Sequence, residues 1–170
     1  TADCISGCIS EAQKVYKLVA DEFLIMDVSS DEVRDAEKLY NKIRKEIGRF
    51  IEANEFKVMY TVSGGIVPFG TLGGDQYSEA LKLTDFALNE AKKLGRNRCY
   101  IYNEETYRRF LRKREITQEL RDAVNNGFQG FTAFYQPVFA EDKKVPYGAE
   151  ALMRFTSEKF GMVSPAEFIP

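Results

Sequence analysis

Apolar positions along this chain switch between two rhythms, and the switches mark the elements. Val15-Tyr16-Lys17-Leu18-Val19-Ala20 and Phe23-Leu24-Ile25-Met26-Asp27-Val28 are β-rich runs separated by Asp21-Glu22, which predicts a hairpin with acidic groups at its turn. Ser29-Ser30-Asp31-Glu32 then offers a helix N-cap and early-turn acids. Val33, Ala36, Tyr40, Ile43, Ile47 and Phe50 follow at steps of three and four, with Leu39 widening the stripe, so roughly 31–53 reads as an amphipathic helix. Phe56 to Val67 reads as a strand, broken or bulged at Gly64-Gly65. Residues 68–76 form a glycine-rich loop. Tyr77 to Leu94 is a second helix, with Ala80, Leu83, Ala87, Leu88 and Ala91 on one side and Gly95 as its C-terminal cap. Cys99 to Tyr102 is a short strand, and residues 1–13 fit the end of a helix.

Beyond Asn103 the pattern changes. Asn103 to about Asn126 is a long charged helix, roughly 35 Å at 1.5 Å per residue, closed by Asn126-Gly127. It runs unbroken between two sheet-forming segments and reads as a domain connector. Thr132 to Phe139 and Val145 to Phe155 form a new hairpin around the turn Glu141-Asp142-Lys143-Lys144, and Ser164-Pro165-Ala166-Glu167 starts a helix with Ser as cap and Pro at the first position. The expected fold class is α/β (α+β). The expected division is residues 1–102, a connector over 103–127, and residues 128–170.

Composition narrows the chemistry. With 44% hydrophobic and 29% charged residues, the chain fits a folded globular protein. A net charge of −2 gives no sign of a general nucleic-acid binder. No apolar run reaches the roughly 20 residues of a membrane span, and no signal-peptide pattern opens the chain. The opening Thr1-Ala2-Asp3 and the closing Ile169-Pro170 suggest a piece of a longer protein, cut at both ends. Cys4, Cys8 and Cys99 show no framework spacing; reduced cytosolic thiols are the simpler reading, and a metal at Cys4 and Cys8 is the alternative. There is no histidine, which removes Ser-His and Cys-His nucleophile arrangements and imidazole metal ligands. Carboxylates, Lys, Arg and backbone amides remain.

Four stretches, in order, resemble one family pair. Lys17-Leu18-Val19-Ala20-Asp21-Glu22-Phe23 looks like the R-x-G-G-D/E-E-F hairpin of diguanylate cyclases. Tyr60-Thr61-Val62-Ser63-Gly64-Gly65-Ile66 looks like their V-T-x-S-x-G-I strand, and Ala91-Lys92-Lys93-Leu94-Gly95-Arg96-Asn97-Arg98 like their A-K-x-x-G-R-N-R segment. Tyr135-Gln136-Pro137-Val138 with Gly148-Ala149-Glu150-Ala151-Leu152-Met153-Arg154-Phe155 resembles the Y-Q-P-I and G-x-E-A-L-x-R-W opening of EAL phosphodiesterases, and the match continues through Gly161 to Pro170. Met153 and Phe155 replace the commoner Leu and Trp. Gly73-Gly74-Asp75-Gln76-Tyr77 also looks like a cyclase motif, but it sits after the second strand, where a loop and a helix start are expected.

The resemblance implies the back half of a degenerate GGDEF domain, followed by the opening hairpin of an EAL β/α barrel. In the cyclase half the acids survive as Asp21 and Glu22, with Asp21 the implied metal ligand. The motif's glycines are replaced by Val19 and Ala20. Val19 resists positive φ, and both Cβ atoms fill space a nucleotide needs. The R-x-x-D inhibition motif falls on Ser10-Glu11-Ala12-Gln13 and is absent. Lys92 and Arg96 match triphosphate contacts; as plain residues they are cations at an exposed helix end, where the dipole favours them. Asp21 and Glu22 read equally as hairpin-turn acids. This half is expected not to make cyclic-di-GMP, while GTP remains a regulatory ligand of the parent protein.

In the EAL half the resemblance implies that Glu150 ligates Mg²⁺ or Mn²⁺, Leu152 packs on a base, Arg154 contacts a phosphate and Gln136 lies in a cyclic-di-GMP pocket. Those ions prefer hard oxygen ligands. Glu150, Leu152 and Arg154 are two apart and share a strand face; a solvent-facing strand is the alternative. The remaining EAL ligands lie beyond Pro170 in the family, so the chain alone is expected to hydrolyse nothing. The implied parent is a cytoplasmic cyclic-di-GMP phosphodiesterase with a regulatory cyclase-like domain, without nucleic-acid or membrane contact from this segment. A homodimer is a further partnership the resemblance allows. The alternatives are a non-catalytic receptor for cyclic-di-GMP or GTP, and an α/β interaction module with accidental motif matches.

Overall fold

The computed structural model describes residues 1–30, 32–68, 70, 76–141 and 144–169. Asp31 of the expected cap, most of the 68–76 loop with Gly73-Gly74-Asp75, Asp142 and Lys143 of the second turn, and Pro170 lie outside them. The chain divides into two compact units, Thr1–Asn103 and Glu104–Pro170.

The first unit opens with a short helix α1 (Ala2–Ser6), followed by the hairpin strands β1 (Gln13–Lys17) and β2 (Phe23–Asp27). These pair antiparallel with Val15 opposite Ile25 and Lys17 opposite Phe23, so alternation turns Val15, Phe23 and Ile25 to one face. That face packs on Cys4, Ile5 and Cys8 and on Ile43 and Ile47 of α2 (Val33–Ala53), with Leu39, Ile51 and Val62 at the margin. The middle of the apolar stripe read from the sequence is therefore the buried face of the helix, while Phe50 at its end is exposed. Lys42 Nζ donates to the Cys8 carbonyl at 2.8 Å and ties the end of the N-terminal segment to α2. Burial pushes the Cys8 thiol up, against the opposing effect of Lys42. Cys4 and Cys8 are free and buried.

The start of α2 differs from the expected serine cap. Glu32 holds the N-cap position without a side-chain cap bond. The Ser30 hydroxyl accepts from the Glu32 N–H at 3.1 Å and donates to Asp35 at 2.8 Å. Just upstream, burial raises the pKa of Asp27, but hydrogen bonds from the Ser29 hydroxyl and N–H and from Gln13 outweigh it and leave the carboxyl below its usual range.

The strand expected over 56–67 is corrected to β3 (Gly64–Ile66). Residues 56–63 have no regular structure, since no described strand runs alongside to form a ladder. Phe56, Val58 and Met59 are exposed there, while the Tyr40 hydroxyl on α2 donates to the Val62 carbonyl at 2.9 Å and fixes the approach to β3. β3 pairs in parallel with β4 (Cys99–Ile101), and α3 (Gln76–Lys93) is the crossover. Leu83, Phe86, Ala87 and Ala91 form the buried side of α3. Gly65 lies directly against the helix backbone: a Cβ there would stand 2.5 Å from the Leu88 nitrogen and 2.7 Å from the Thr84 carbonyl oxygen. Gly95 ends α3 at φ 109°, as expected of a C-terminal cap, and Arg96 donates its N–H to the Ala91 carbonyl at 3.1 Å.

The second unit begins with α4 (Glu104–Asn125). A three-stranded antiparallel sheet follows: β5 (Phe131–Val138), β6 (Gly148–Ser157) and β7 (Gly161–Val163), then α5 (Pro165–Phe168). β6 begins and ends later than the sequence suggests. Its last turn of pairing is with β7, Phe155 opposite Val163 and Ser157 opposite Gly161, rather than with β5 alone. Ile116, Phe155 and Val163 are the buried centre, with Leu120, Ala123, Phe131, Phe160 and Phe168 around them. Phe131 and Phe155 have ring centroids 4.9 Å apart, and Phe168 meets both edge-on. Arg112 of α4 forks onto Glu167 of α5 at 2.8 and 3.3 Å and lies over the Phe160 ring at 4.6 Å. The expected cap Ser164 is at the N-cap with Pro165 behind it, but its side chain makes no cap bond. Among the described residues no helix is long and apolar enough to cross a membrane. The fold is mixed helix and sheet, built on small sheets.

Candidate functional site

Leu18 to Glu22 form the tip of the β1–β2 hairpin. Glu22 N–H donates to the Val19 carbonyl at 2.9 Å, and Leu18 N–H to the Glu22 carbonyl at 3.0 Å, closing a tight turn. Positive φ falls on Ala20, at 52°, and not on Val19. A left-handed turn position favours glycine, and an alanine there costs about 1–2 kcal/mol. The turn therefore carries a Cβ at its left-handed position. Asp21 stands exposed at the tip.

Glu22 turns elsewhere. Its carboxylate lies 3.1 Å from Lys92 Nζ at the end of α3, both side chains being about two-fifths exposed. Two residues singled out separately in the sequence, 70 positions apart, are thus one ion pair. At this exposure such a pair contributes about 0.2–1 kcal/mol. Chemically it matters more: the cation that the resemblance assigns to a triphosphate already has a carboxylate partner. Arg96 follows in the exposed turn, its own φ positive at 60°. Asp21 and Arg96 have no ion-pair partner among the described residues.

The second unit carries the other candidates on one sheet face. Register sets Gln136 opposite Glu150, Phe134 opposite Leu152 and Thr132 opposite Arg154. Alternation then puts Gln136, Phe134, Glu150, Leu152 and Arg154 together, on the face opposite the one Phe131 and Phe155 turn to the core. Gln136 and Glu150 are exposed, while Leu152 and Arg154 are half-buried. The Arg154 guanidinium lies over the Phe134 ring, 5.4 Å from its centroid, and donates to the Met153 carbonyl at 3.0 Å. The face offers a carboxylate, an amide, a guanidinium and an apolar patch side by side.

A divalent metal is not accounted for by these residues alone. Among the described residues no three His, Cys, Asp or Glu side chains come together as a metal site, at Cys4 and Cys8, at Asp21, or at Glu150. Glu150 provides one hard oxygen donor, and Asp21 has only Glu22 beside it in sequence.

One participant and one pairing were not read from the sequence. Phe134 could have been found from hairpin register, because it lies across from Leu152 and two residues from Gln136. Glu22 as the partner of Lys92 had no local signal, since the pair joins distant segments.

Comparison with known proteins follows the same division. Residues 1–98 match the family described as Diguanylate cyclase, GGDEF domain. The biofilm architecture maintenance protein MbaA of Vibrio cholerae is 31% identical over 163 residues, covering 91% of this chain and 19% of that protein. The cyclic di-GMP phosphodiesterase NbdA of Pseudomonas aeruginosa is 25% identical, covering 97% of this chain and 21% of its own length. The bifunctional diguanylate cyclase/cyclic di-GMP phosphodiesterase MucR of the same organism is 24% identical over 169 residues, covering 99% and 24%. The alignments therefore include both units, and the chain spans about a fifth of the length of these relatives. With the family match taking in the whole hairpin, α3 and the turn after it, the chain belongs to the GGDEF-domain family of diguanylate cyclases.

Proposed function

We propose that this chain is a segment of a cytoplasmic cyclic-di-GMP signalling protein, in which the GGDEF unit is a regulatory GTP-binding module without cyclase activity and the second unit opens an EAL phosphodiesterase domain. The observation that carries the second half is the register that sets Gln136 beside Glu150 and Leu152 beside Phe134, with Arg154 next along the same face. A cyclic dinucleotide presents two phosphodiesters and two purines. A guanidinium suits the first, an apolar patch the second, and a carboxylate the Mg²⁺ or Mn²⁺ that the whole protein would use. Glu150 would supply one ligand and the rest of the protein the others.

Loss of cyclase activity is supported by the filled turn at Ala20 and by the Glu22–Lys92 pair. Both disfavour close approach of a triphosphate, and the pair leaves nucleotide binding conditional on its release. The names of NbdA and MucR, which align across both units, favour the phosphodiesterase assignment of the second unit, while MucR's name also includes a cyclase. A second reading, a non-catalytic receptor, is favoured by the same lost glycines, because one site of the protein has already departed from its motif.

The test is phosphodiesterase activity of the full-length protein with Mg²⁺ or Mn²⁺, with and without GTP, beside a Glu150→Ala variant. Turnover that disappears in the variant and rises with GTP is the expected result. Retained binding of cyclic-di-GMP without turnover would favour the receptor, and detectable cyclase activity would overturn the regulatory assignment of the GGDEF unit.

A further inference from the structure

Arg154 is held in place by something other than an acid. Its guanidinium lies over the ring of Phe134, 5.4 Å from the centroid, and one N–H donates to the carbonyl of Met153 at 3.0 Å. A guanidinium carries five N–H donors, so most of its hydrogen-bonding capacity remains for a ligand. The contact follows from the ladder. Phe134 pairs with Leu152, so Arg154 is its diagonal neighbour across the hairpin, within reach of a long side chain. Phe134 is also 51% exposed, and the buried aromatic cluster consists of other rings.

We infer that Phe134 is a positioning residue for this site, holding the Arg154 guanidinium over its ring and ready for a phosphodiester of the dinucleotide. The inference rests on the proposed cyclic-dinucleotide reading of the face and adds to it the device that orders its cation. An unrestrained Arg loses much rotamer freedom when it grips an anion, and a ring that already restrains it lowers that cost. A cation–π contact uses none of the guanidinium's N–H donors, and those donors are what engage phosphate oxygens. An aliphatic side chain at 134 would fill space without attracting the cation.

The test measures cyclic-di-GMP affinity of the full-length protein by calorimetry for Phe134→Leu, Phe134→Tyr, Arg154→Ala and the Phe134→Leu/Arg154→Ala double variant. Phe134→Leu is expected to weaken binding roughly two- to fivefold, the effect of one partly exposed cation–π contact. Phe134→Tyr should bind like the unsubstituted protein, and Phe134→Leu should cause no further loss once Arg154 is Ala. Should Phe134→Leu unfold the protein, Phe134→Met removes the ring while keeping bulk and carries the same expectation. Unchanged affinity in the Leu or Met variant would overturn the inference, as would an equal loss with and without Arg154, or full affinity in Arg154→Ala. Failure of the unsubstituted protein to bind cyclic-di-GMP would instead overturn the dinucleotide reading and remove the inference with it.

Discussion

Replacing Gly65 by alanine adds one methyl group where the structure has no room for it. The new Cβ would stand 2.5 Å from the Leu88 nitrogen, 2.7 Å from the Thr84 oxygen and 3.0 Å from the Ala87 carbonyl carbon. Comfortable separations are about 3.5–4.0 Å, so the gap must widen by roughly 1 Å. All three neighbours are backbone atoms of α3, and none can rotate aside as a side-chain tip would. Either the helix lifts off β3 or the β3–β4 ladder shifts. Overpacking costs about 1–3 kcal/mol, and rigid neighbours place this substitution near 3 kcal/mol. For a unit of about 100 residues, that lowers the melting midpoint by roughly 12–24 °C. Circular dichroism during heating measures it, with Gly70→Ala as the control, because a Cβ at Gly70 meets nothing within 4 Å among the described residues. A Gly65→Ala protein melting within about 2 °C of the control would refute the close-packing argument.

Two further outcomes follow from the turn and the second core. Ala20→Gly relieves the left-handed residue at the hairpin tip, an expected gain of about 1 kcal/mol after the extra backbone entropy of glycine; a lower chemical-denaturation midpoint would contradict it. The hydrogen bond from Arg112 holds the Glu167 carboxyl below its usual range, so its contribution is fully present above the unfolded value of about 4.3 and is lost as pH falls through the lower folded value. The stability gap between the native chain and Glu167→Gln, measured by denaturant titration at neutral and acid pH, should therefore close toward acid, and a gap independent of pH would refute the assignment.

Local rhythm carried most of the elements. The β1–β2 hairpin, α2, α3 and α4 were legible because each buries one periodic stripe, such as Ile43 and Ile47 against the N-terminal segment. Phe56 to Ser63 has the composition of a strand without a described neighbour to pair with, and composition cannot supply a partner. The cap of α2 misled for a related reason: Ser30 does bond the helix start, but from outside the N-cap position that Glu32 occupies. At the hairpin tip, sequence identified where glycine was missing, yet only the backbone reveals that Ala20 bears the positive φ. The face with Gln136, Glu150, Leu152 and Arg154 was half legible. Period two aligned three of these residues on one strand, and the register added Gln136 and Phe134 from the other. The Glu22–Lys92 pair was beyond reach, since nothing at either position encodes contact with a residue so distant in the chain.

The parallel pairing of β3 with β4 sets a timetable for assembly. The β1–β2 and β5–β6 pairs join strands close in sequence, so each can zip shortly after its own residues are available. β3 has no such neighbour: Gly64 pairs with Cys99, and all of α3 lies between them. Closing that long loop carries an entropy cost before any ladder bond offsets it. α3 packs directly on Gly65 in the finished unit, so room at that glycine bears on whether the two strands can meet and not only on the final fit. Until the strands meet, Ile66 and Ile101 lack their ladder partners, and unpaired edges of that kind are open to wrong pairing.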